Sequence, residues 1–188
     1  MLNQVYATKK AMTQAFSEGK RIPLTVLTVV PHVVIAHKTV EKDGYSAVIL
    51  SVRPKKIKEV LSHDVLESKT EINLSEILIP GSTVSVMASS KGKGTSGVMK
   101  RWGMHGGPRT HGQSDRQRAP GSIGRGTTPG RVLPGKHMAG RMGNTNTSVK
   151  NLKIHSFDPA TGILEITGCI SGGRGALALI TITKKYGY

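Results

Sequence analysis

The chain of 188 residues is poor in acidic residues, cysteine and aromatic side chains. Its 11 acidic residues leave 27 lysines and arginines largely unbalanced, so the net charge is +16. Such an excess indicates a polyanionic partner, because charge that serves only solubility is normally mixed in sign. Since Cys169 is the only cysteine, an intramolecular disulfide is excluded, which favours a reducing compartment.

Long apolar segments are also missing. No run approaches the roughly 20 apolar residues that a membrane-spanning helix needs, and the first residues lack the charged and apolar regions of a signal peptide. These absences predict a chain with no membrane partner. The acidic residues include no pair suited to general acid–base chemistry, so neither an enzyme nor a small-molecule substrate is expected.

The positive charge is concentrated in residues 91–143, which we call the arm. This segment holds 11 lysines and arginines, 14 of the 23 glycines and four of the nine prolines, but a single acid, Asp115. Its apolar residues follow neither the strand period nor the helix period, so it cannot bury a face of its own. Glycine permits close approach of a backbone to another surface, and arginine and lysine neutralise phosphates. The arm is therefore predicted to become ordered on a nucleic acid.

Both flanks of the arm are rich in β-branched residues and turn signals. Seven short strands are predicted, at 22–30, 33–36, 45–52, 83–86, 149–157, 163–166 and 176–183. The first two are expected to form a hairpin. Pro54 is predicted to open a short helix, because Ile57, Val60 and Leu61 follow it at helical spacing. Several short strands separated by turns favour a β-barrel that the arm interrupts.

Ordered motifs in the arm and its flanks resemble those of a known family. In the arm they are SKGKG (90–94), GVMKRW (97–102), THG (110–112), RAPGSIG (118–124), TPGRV (128–132) and GKHMAGRMG (135–143). In the flank before the arm they are KAMT (10–13), IPLTV (22–26) and DGY (43–45). On these motifs the chain resembles the universal large-subunit ribosomal protein three family, of the bacterial type, over nearly its whole length.

The resemblance implies a mainly β fold, with a six-stranded type of β-barrel body, a short helical insertion and a long extended arm rich in Gly, Arg and Lys. Residues 1–90 would form the first part of the body, 91–143 the arm, and 144–188 the strands that complete the barrel. The region between Val52 and Pro80 is shorter than in typical members.

The resemblance also implies a function. It points to a structural constituent of the large ribosomal subunit, in the cytoplasm, that binds large-subunit rRNA and neighbouring ribosomal proteins. A role early in subunit assembly is expected, with the arm running towards the peptidyl transferase centre. No enzymatic activity, cofactor or metal is implied.

Fifteen arm residues are predicted to contact rRNA. They comprise cations, which neutralise phosphates, and polar or aromatic side chains, which hydrogen-bond RNA or stack on bases. They are Lys91, Lys93, Lys100, Arg101, Trp102, Arg109, His111, Arg116, Arg118, Arg125, Thr127, Arg131, Lys136, His137 and Arg141. Two roles stay open for Trp102: stacking on an unpaired base, or packing the base of the arm onto the barrel.

Other site chemistry is not predicted. His105, His111 and His137 could be grouped with Cys169, but they lack the paired short spacing that zinc sites of this type need. Cys169 precedes Ile170 on an expected strand, so it is interpreted as a small buried hydrophobic residue and not as a nucleophile.

Two other functional classes stay open. One is a free-standing RNA chaperone, which would bind many RNAs with little site preference. The other is a small β-barrel enzyme that grips a phosphorylated substrate with residues 92–95, although the spacing of a P-loop is absent. Co-sedimentation separates these classes, because a ribosomal component is present at one copy per large subunit and withstands a moderate-salt wash.

Overall fold

The computed structural model describes residues 2–17, 19–53, 56–62 and 71–186. Mainly β structure is confirmed, with two short α-helices, α1 (Val40–Asp43) and α2 (Val98–Trp102). The strands are β1 (Gln4–Ser17), β2 (Lys20–Thr28), β3 (Val33–Lys38), β4 (Ala47–Arg53), β5 (Lys56–Leu61), β6 (Thr83–Ser89), β7 (Thr95–Ser96), β8 (Gly140–Arg141), β9 (Asn146–Asp158), β10 (Ile163–Thr167) and β11 (Leu177–Lys184). The chain divides into two compact units: the body, which precedes residue 91 and follows residue 145, and a second unit, Lys91–Thr145, which contains the arm.

Six strands of the body form a closed antiparallel barrel in the order β1-β11-β6-β9-β10-β2, and β2 pairs back with β1. Successive side chains of a strand point to opposite faces, so burial should alternate. In β11, Ala178, Ile180 and Ile182 are buried, whereas the residues between them are only partly covered. The same alternation runs along β10. Predicted strands 22–30, 83–86, 149–157, 163–166 and 176–183 thus correspond to five of the six strands of this barrel.

A three-stranded sheet in the order β3-β4-β5 completes the body. Its buried Val34 and Leu50 belong to the same hydrophobic cluster as Ile180 of the barrel. The hydroxyl group of Tyr6, on β1, donates a hydrogen bond to the backbone carbonyl of Glu59, on β5, at 3.3 Å. The body therefore has one continuous core under two sheets.

The predicted hairpin between residues 22–30 and 33–36 is wrong. β2 lies in the barrel between β1 and β10, whereas β3 pairs with β4 in the second sheet. The intervening Pro31 and His32 do not form a tight turn between paired strands, because they carry the chain from one sheet to the other. Sequence proximity suggested a pairing that tertiary packing overrides.

The predicted helix near Ile57 is also wrong. These residues form β5, which is paired antiparallel with β4. Of the three apolar residues at helical spacing, only Val60 is buried, while Ile57 and Leu61 are 62% and 67% exposed. Their spacing thus did not mark one covered helical face. Pro54, the predicted helix start, lies outside the described residues.

Cys169 is exposed, so its interpretation as a small buried residue is wrong. The preceding strand, β10, ends at Thr167, and Gly168 turns the chain with a positive φ of 86°. The Sγ atom of Cys169 lies 3.9 Å from the Sδ atom of Met12 on β1, and the side chain of Met12 is exposed as well. The strand alternation could not be extended to Cys169, because the strand has already ended.

His32 is a fully buried polar residue of the body. Its Nε2 atom accepts a hydrogen bond from the backbone N–H of Tyr6 at 2.9 Å, and its Nδ1 atom lies 2.6 Å from the carbonyl oxygen of Val30. Both contacts are satisfied by a neutral ring that carries its proton on Nδ1. Burial lowers the pKa of His32 below its ordinary value of 6.5. His32 thus links β1 to the segment that enters β3.

This lowered pKa predicts a pH-dependent stability. Below the unfolded pKa of about 6.5, the unfolded chain binds a proton that the folded chain resists, so the contribution of His32 is lost as the pH falls. We expect the melting temperature to decrease between about pH 7.5 and about pH 5.5, where ordinary carboxylates stay ionised. His32→Gln should lower the melting temperature at the higher pH and flatten this dependence. His155→Asn, at an exposed histidine, should do neither; an equal pH dependence in both variants would contradict the assignment.

Candidate nucleic-acid interface

The second unit contains little regular structure. Its elements are the two-residue strands β7 and β8 and the five-residue helix α2. Glycine ends α2, because Gly103 adopts a left-handed φ of 70° and its N–H donates to the carbonyl of Met99. Most other residues of the unit lie in turns and extended segments, which leaves their side chains exposed.

Two antiparallel segments form the root of the arm, residues 91–96 and 140–143. The Lys93 N–H donates to the Met142 carbonyl and the Met142 N–H donates to the Gly94 carbonyl, each at 2.9 Å. A Cβ atom on Gly143 would lie 2.1 Å from the Lys91 carbonyl oxygen, so the two backbones approach too closely for any side chain there. The root brings the predicted contacts Lys91, Lys93 and Arg141 into one small region.

Four residues, Arg101, Trp102, His137 and Met138, form a second cross-connection, which we call the clamp. The rings of Trp102 and His137 stack with centroids 3.9 Å apart and planes 3° apart. The Nε1 atom of Trp102 and the Nη1 atom of Arg101 each donate to the Met138 carbonyl at 2.9 Å. The guanidinium of Arg101 also lies 4.9 Å from the centroid of the indole ring. The clamp therefore joins α2 to the returning side of the arm.

The clamp gives three predicted RNA contacts a partner inside the arm. From the sequence, the expected partner of Trp102 is either a base or the barrel; in the structure its ring stacks on a third partner, His137. Arg101 is partly covered and its guanidinium already has a carbonyl acceptor. Trp102 stays 43% exposed, so the clamp does not exhaust its surface. Contact of these side chains with RNA stays a prediction.

Between α2 and residue 119 the chain folds back on itself. The Gly107 N–H donates to the Gln117 carbonyl at 2.9 Å. A Cβ atom on Gly106 would lie 2.2 Å from that same carbonyl oxygen, so glycine is required for this approach. His111 turns the loop with a positive φ of 58°. This fold presents four predicted contacts on one loop: Arg109, His111, Arg116 and Arg118.

The predicted contacts share one property, which is exposure. Of the fifteen, only Arg101 is partly covered. Within residues 91–145, all of which are described, no lysine or arginine forms an ion pair with a carboxylate. Asp115, the single acid, lies 3.5 Å from the hydroxyl of its neighbour Ser114. The positive charge of the arm is thus not neutralised within this unit.

The apolar residues of the arm were not among the predicted contacts. Ile123, Val132 and Leu133 are 47%, 38% and 59% exposed. Exposed apolar groups that lie together often mark interaction sites. The sequence did carry a signal for them, because large apolar residues are unusual in a segment rich in glycine, proline and cations. These residues have no regular spacing, so they do not belong to the apolar face of a helix or strand.

Neither a metal site nor a membrane-spanning helix is found among the described residues. There, no three residues among His, Cys, Asp and Glu are placed to hold a metal ion. No helix among those residues combines the length and the apolar character needed to cross a membrane.

Comparison with known proteins gives a consistent picture. The family model described as Ribosomal protein L3 matches residues 7–167. A protein of Herpetosiphon aurantiacus named large ribosomal subunit protein uL3 is 39% identical, over 98% of this chain and 98% of its own length. Proteins of the same name from Dehalococcoides mccartyi and Thermobifida fusca are 39% and 38% identical, over 98% and 97% of this chain. These matches confirm the bacterial-type resemblance and agree with a chain that is not an enzyme, so the chain belongs to the ribosomal protein L3 family.

Proposed function

We propose that this chain is a structural constituent of the large ribosomal subunit and that its arm binds large-subunit rRNA. Its place would be in the cytoplasm, beside rRNA and neighbouring ribosomal proteins. Family membership supports the assignment to the subunit, since the curated relatives carry that name. The observation that supports rRNA binding is the set of exposed arm cations that have no carboxylate partner within their unit.

The proposed mechanism is electrostatic. Each arginine or lysine that neutralises a phosphate releases counterions, so the free energy of binding arises largely from the arm's charge. Arginine is suited to this role because its planar guanidinium binds phosphate through two hydrogen bonds. Glycines at the root and in the loop that follows α2 permit close backbone approach within the arm.

The clamp and the root have a second role in this proposal. A flexible segment loses conformational entropy when it becomes ordered on RNA, and that loss reduces affinity. Hydrogen bonds from Lys93, Met142, Trp102 and Arg101 restrict the arm before it meets RNA. They lower the entropy lost on binding. The resemblance further suggests a role early in assembly and an arm directed towards the peptidyl transferase centre, with peptide bond formation left to RNA.

Co-sedimentation tests the proposed function. Tagged full-length chain, expressed in a bacterial host, should sediment with large subunits at one copy per subunit and stay bound after a moderate-salt wash. A chain that associates with many RNA species and is released by the wash would indicate an RNA chaperone. A chain that stays in the soluble fraction would contradict ribosomal membership.

A further inference from the structure

A cleft lies in the part of the arm around residues 123–136. Its volume is about 330 Å³, at the lower end of the range of roughly 300–1,000 Å³ for small-ligand sites. Its lining is mainly apolar and includes Ile123, Pro129 and Leu133, together with the cations Arg125, Arg131 and Lys136. This space suits a group no larger than about one nucleotide.

The walls of the cleft are apolar but are not covered by the rest of the arm. Ile123 and Leu133 are 47% and 59% exposed. Water against these side chains is unfavourable, so a flat apolar ligand gains by displacing it. Proteins that hold a nucleobase outside a helix place it between aromatic or apolar side chains, as these walls would.

The charge of the cleft is positive. Arg125, Arg131 and Lys136 line it, and no acidic residue does. The ligand must therefore combine a flat apolar portion with negative charge close by. A nucleotide within an RNA strand has this combination, because its base is flanked by a phosphate on each side.

The backbone keeps the two walls together. Gly130 turns the loop with a φ of 64°, and a Cβ atom there would lie 3.3 Å from the Thr127 carbonyl oxygen. A Cβ atom on Gly124 would lie 3.6 Å from the Arg131 carbonyl oxygen, so the two sides of the loop are in contact distance. The hydroxyl of Ser122 donates to the Gly124 carbonyl at 3.0 Å. The cleft is thus part of a folded loop.

We propose that this cleft binds an unpaired nucleobase of RNA, between Ile123 and Leu133, with the flanking phosphates on Arg125, Arg131 and Lys136. The inference rests on the proposed function and deepens it, since it adds recognition of a base to recognition of phosphates. Phosphate contacts position a protein on RNA, whereas a captured base selects RNA that has an unpaired nucleotide at that place.

Binding of the full-length chain to three RNAs of equal length tests this proposal. The first is a stem with one bulged adenosine, the second carries an abasic nucleotide at the bulge, and the third is fully paired. The bulged RNA should bind about tenfold more tightly than the abasic RNA, because burial of the base between the apolar walls removes apolar surface from water. In a chain with Ile123→Ser and Leu133→Ser, this difference should fall below about twofold. Binding of the abasic RNA, which reports phosphate contacts, should be unchanged.

Val132→Ser is the matched control, because Val132 adjoins Leu133 in sequence but does not line this cleft. It should keep the preference for the bulged RNA. Equal binding of the bulged and abasic RNAs by the unmodified chain would overturn the proposal while leaving phosphate recognition intact. Displacement of the bulged RNA by adenosine monophosphate would mean that the cleft takes a free nucleotide instead. Failure to bind any of the three RNAs would overturn the proposed RNA binding as well.

Discussion

Replacing Arg109, Arg116 and Arg118 with alanine is expected to weaken rRNA binding by roughly 100-fold, because each exposed contact contributes on the order of 1 kcal/mol, or about 3 kcal/mol for the three together. All three side chains are exposed on the loop that follows α2. Arg101 is left unchanged, since it belongs to the clamp and its loss would also alter the arm's structure. The slope of log affinity against log salt should become shallower by about 2–3, which is the counterion release of three phosphate contacts.

Replacing the same three residues with lysine is the matched control. Lysine keeps the charge but lacks the planar guanidinium fork, so the salt slope should stay close to that of the unmodified chain while affinity falls modestly. The melting temperature of the body should be the same in all three proteins, because these side chains pack no core. Filter binding of large-subunit rRNA at several salt concentrations gives the measurement. A salt slope unaltered by the alanine variant would show that these arginines face solvent in the complex.

Gly143→Ala is expected to open the root of the arm. Gly143 has a φ of 76°, and its new Cβ atom would lie 2.1 Å from the carbonyl oxygen of Lys91. A left-handed conformation alone costs a residue other than glycine about 1–2 kcal/mol. The contact adds to this cost, because its partner is backbone and cannot rotate away. The two hydrogen bonds between Lys93, Gly94 and Met142 should therefore be lost.

Hydrogen exchange of the Lys93 and Met142 amides measures this opening. Gly121→Ala is the matched control, since Gly121 has the same φ of 76° but a Cβ atom there would meet nothing within 4 Å. Protection of the two root amides should collapse in the Gly143 variant and persist in the Gly121 variant. Equal protection of the two root amides in both variants would contradict the need for glycine at position 143, and weak protection in the unmodified chain would mean that the root is open in solution.

The fold was predictable where local pattern and burial coincide. Strand β11 was anticipated within one residue at each end, because its β-branched residues alternate and its alternate residues fill the barrel. β1 was not predicted. A register shift between Lys9 and Ala11 interrupts the alternation of its side chains. The C-terminal half of the strand is mostly exposed, so its sequence shows no regular spacing of apolar residues. β5 was mistaken for a helix, because three apolar residues at helical spacing say nothing about which of them is covered.

Of the candidate interface, the sequence predicted the positive charge but not the contacts between side chains. The arm's cations were identified by composition, since each carries its charge wherever the chain folds. The clamp was not anticipated, because Trp102 and His137 are far apart in sequence and nothing in the local pattern pairs them. The apolar walls of the cleft were missed for the same reason: Ile123 and Leu133 have no period that relates them.

The amino-acid sequence by itself determined the mainly β character of the body, the concentration of positive charge in residues 91–143 and, through ordered motifs, the family. Each of these properties depends only on composition or on short stretches of sequence, so it can be identified without knowing which residues are neighbours in the folded chain. Only the tertiary structure decided that β2 closes the barrel against β1, that His32 links β1 to β3, and that the arm is cross-connected at a root and a clamp. Each of these depends on hydrogen bonds or contacts between groups that are distant along the chain. Their positions are set by the packing of the whole, because a backbone or side chain bonds whatever partner the fold brings within reach.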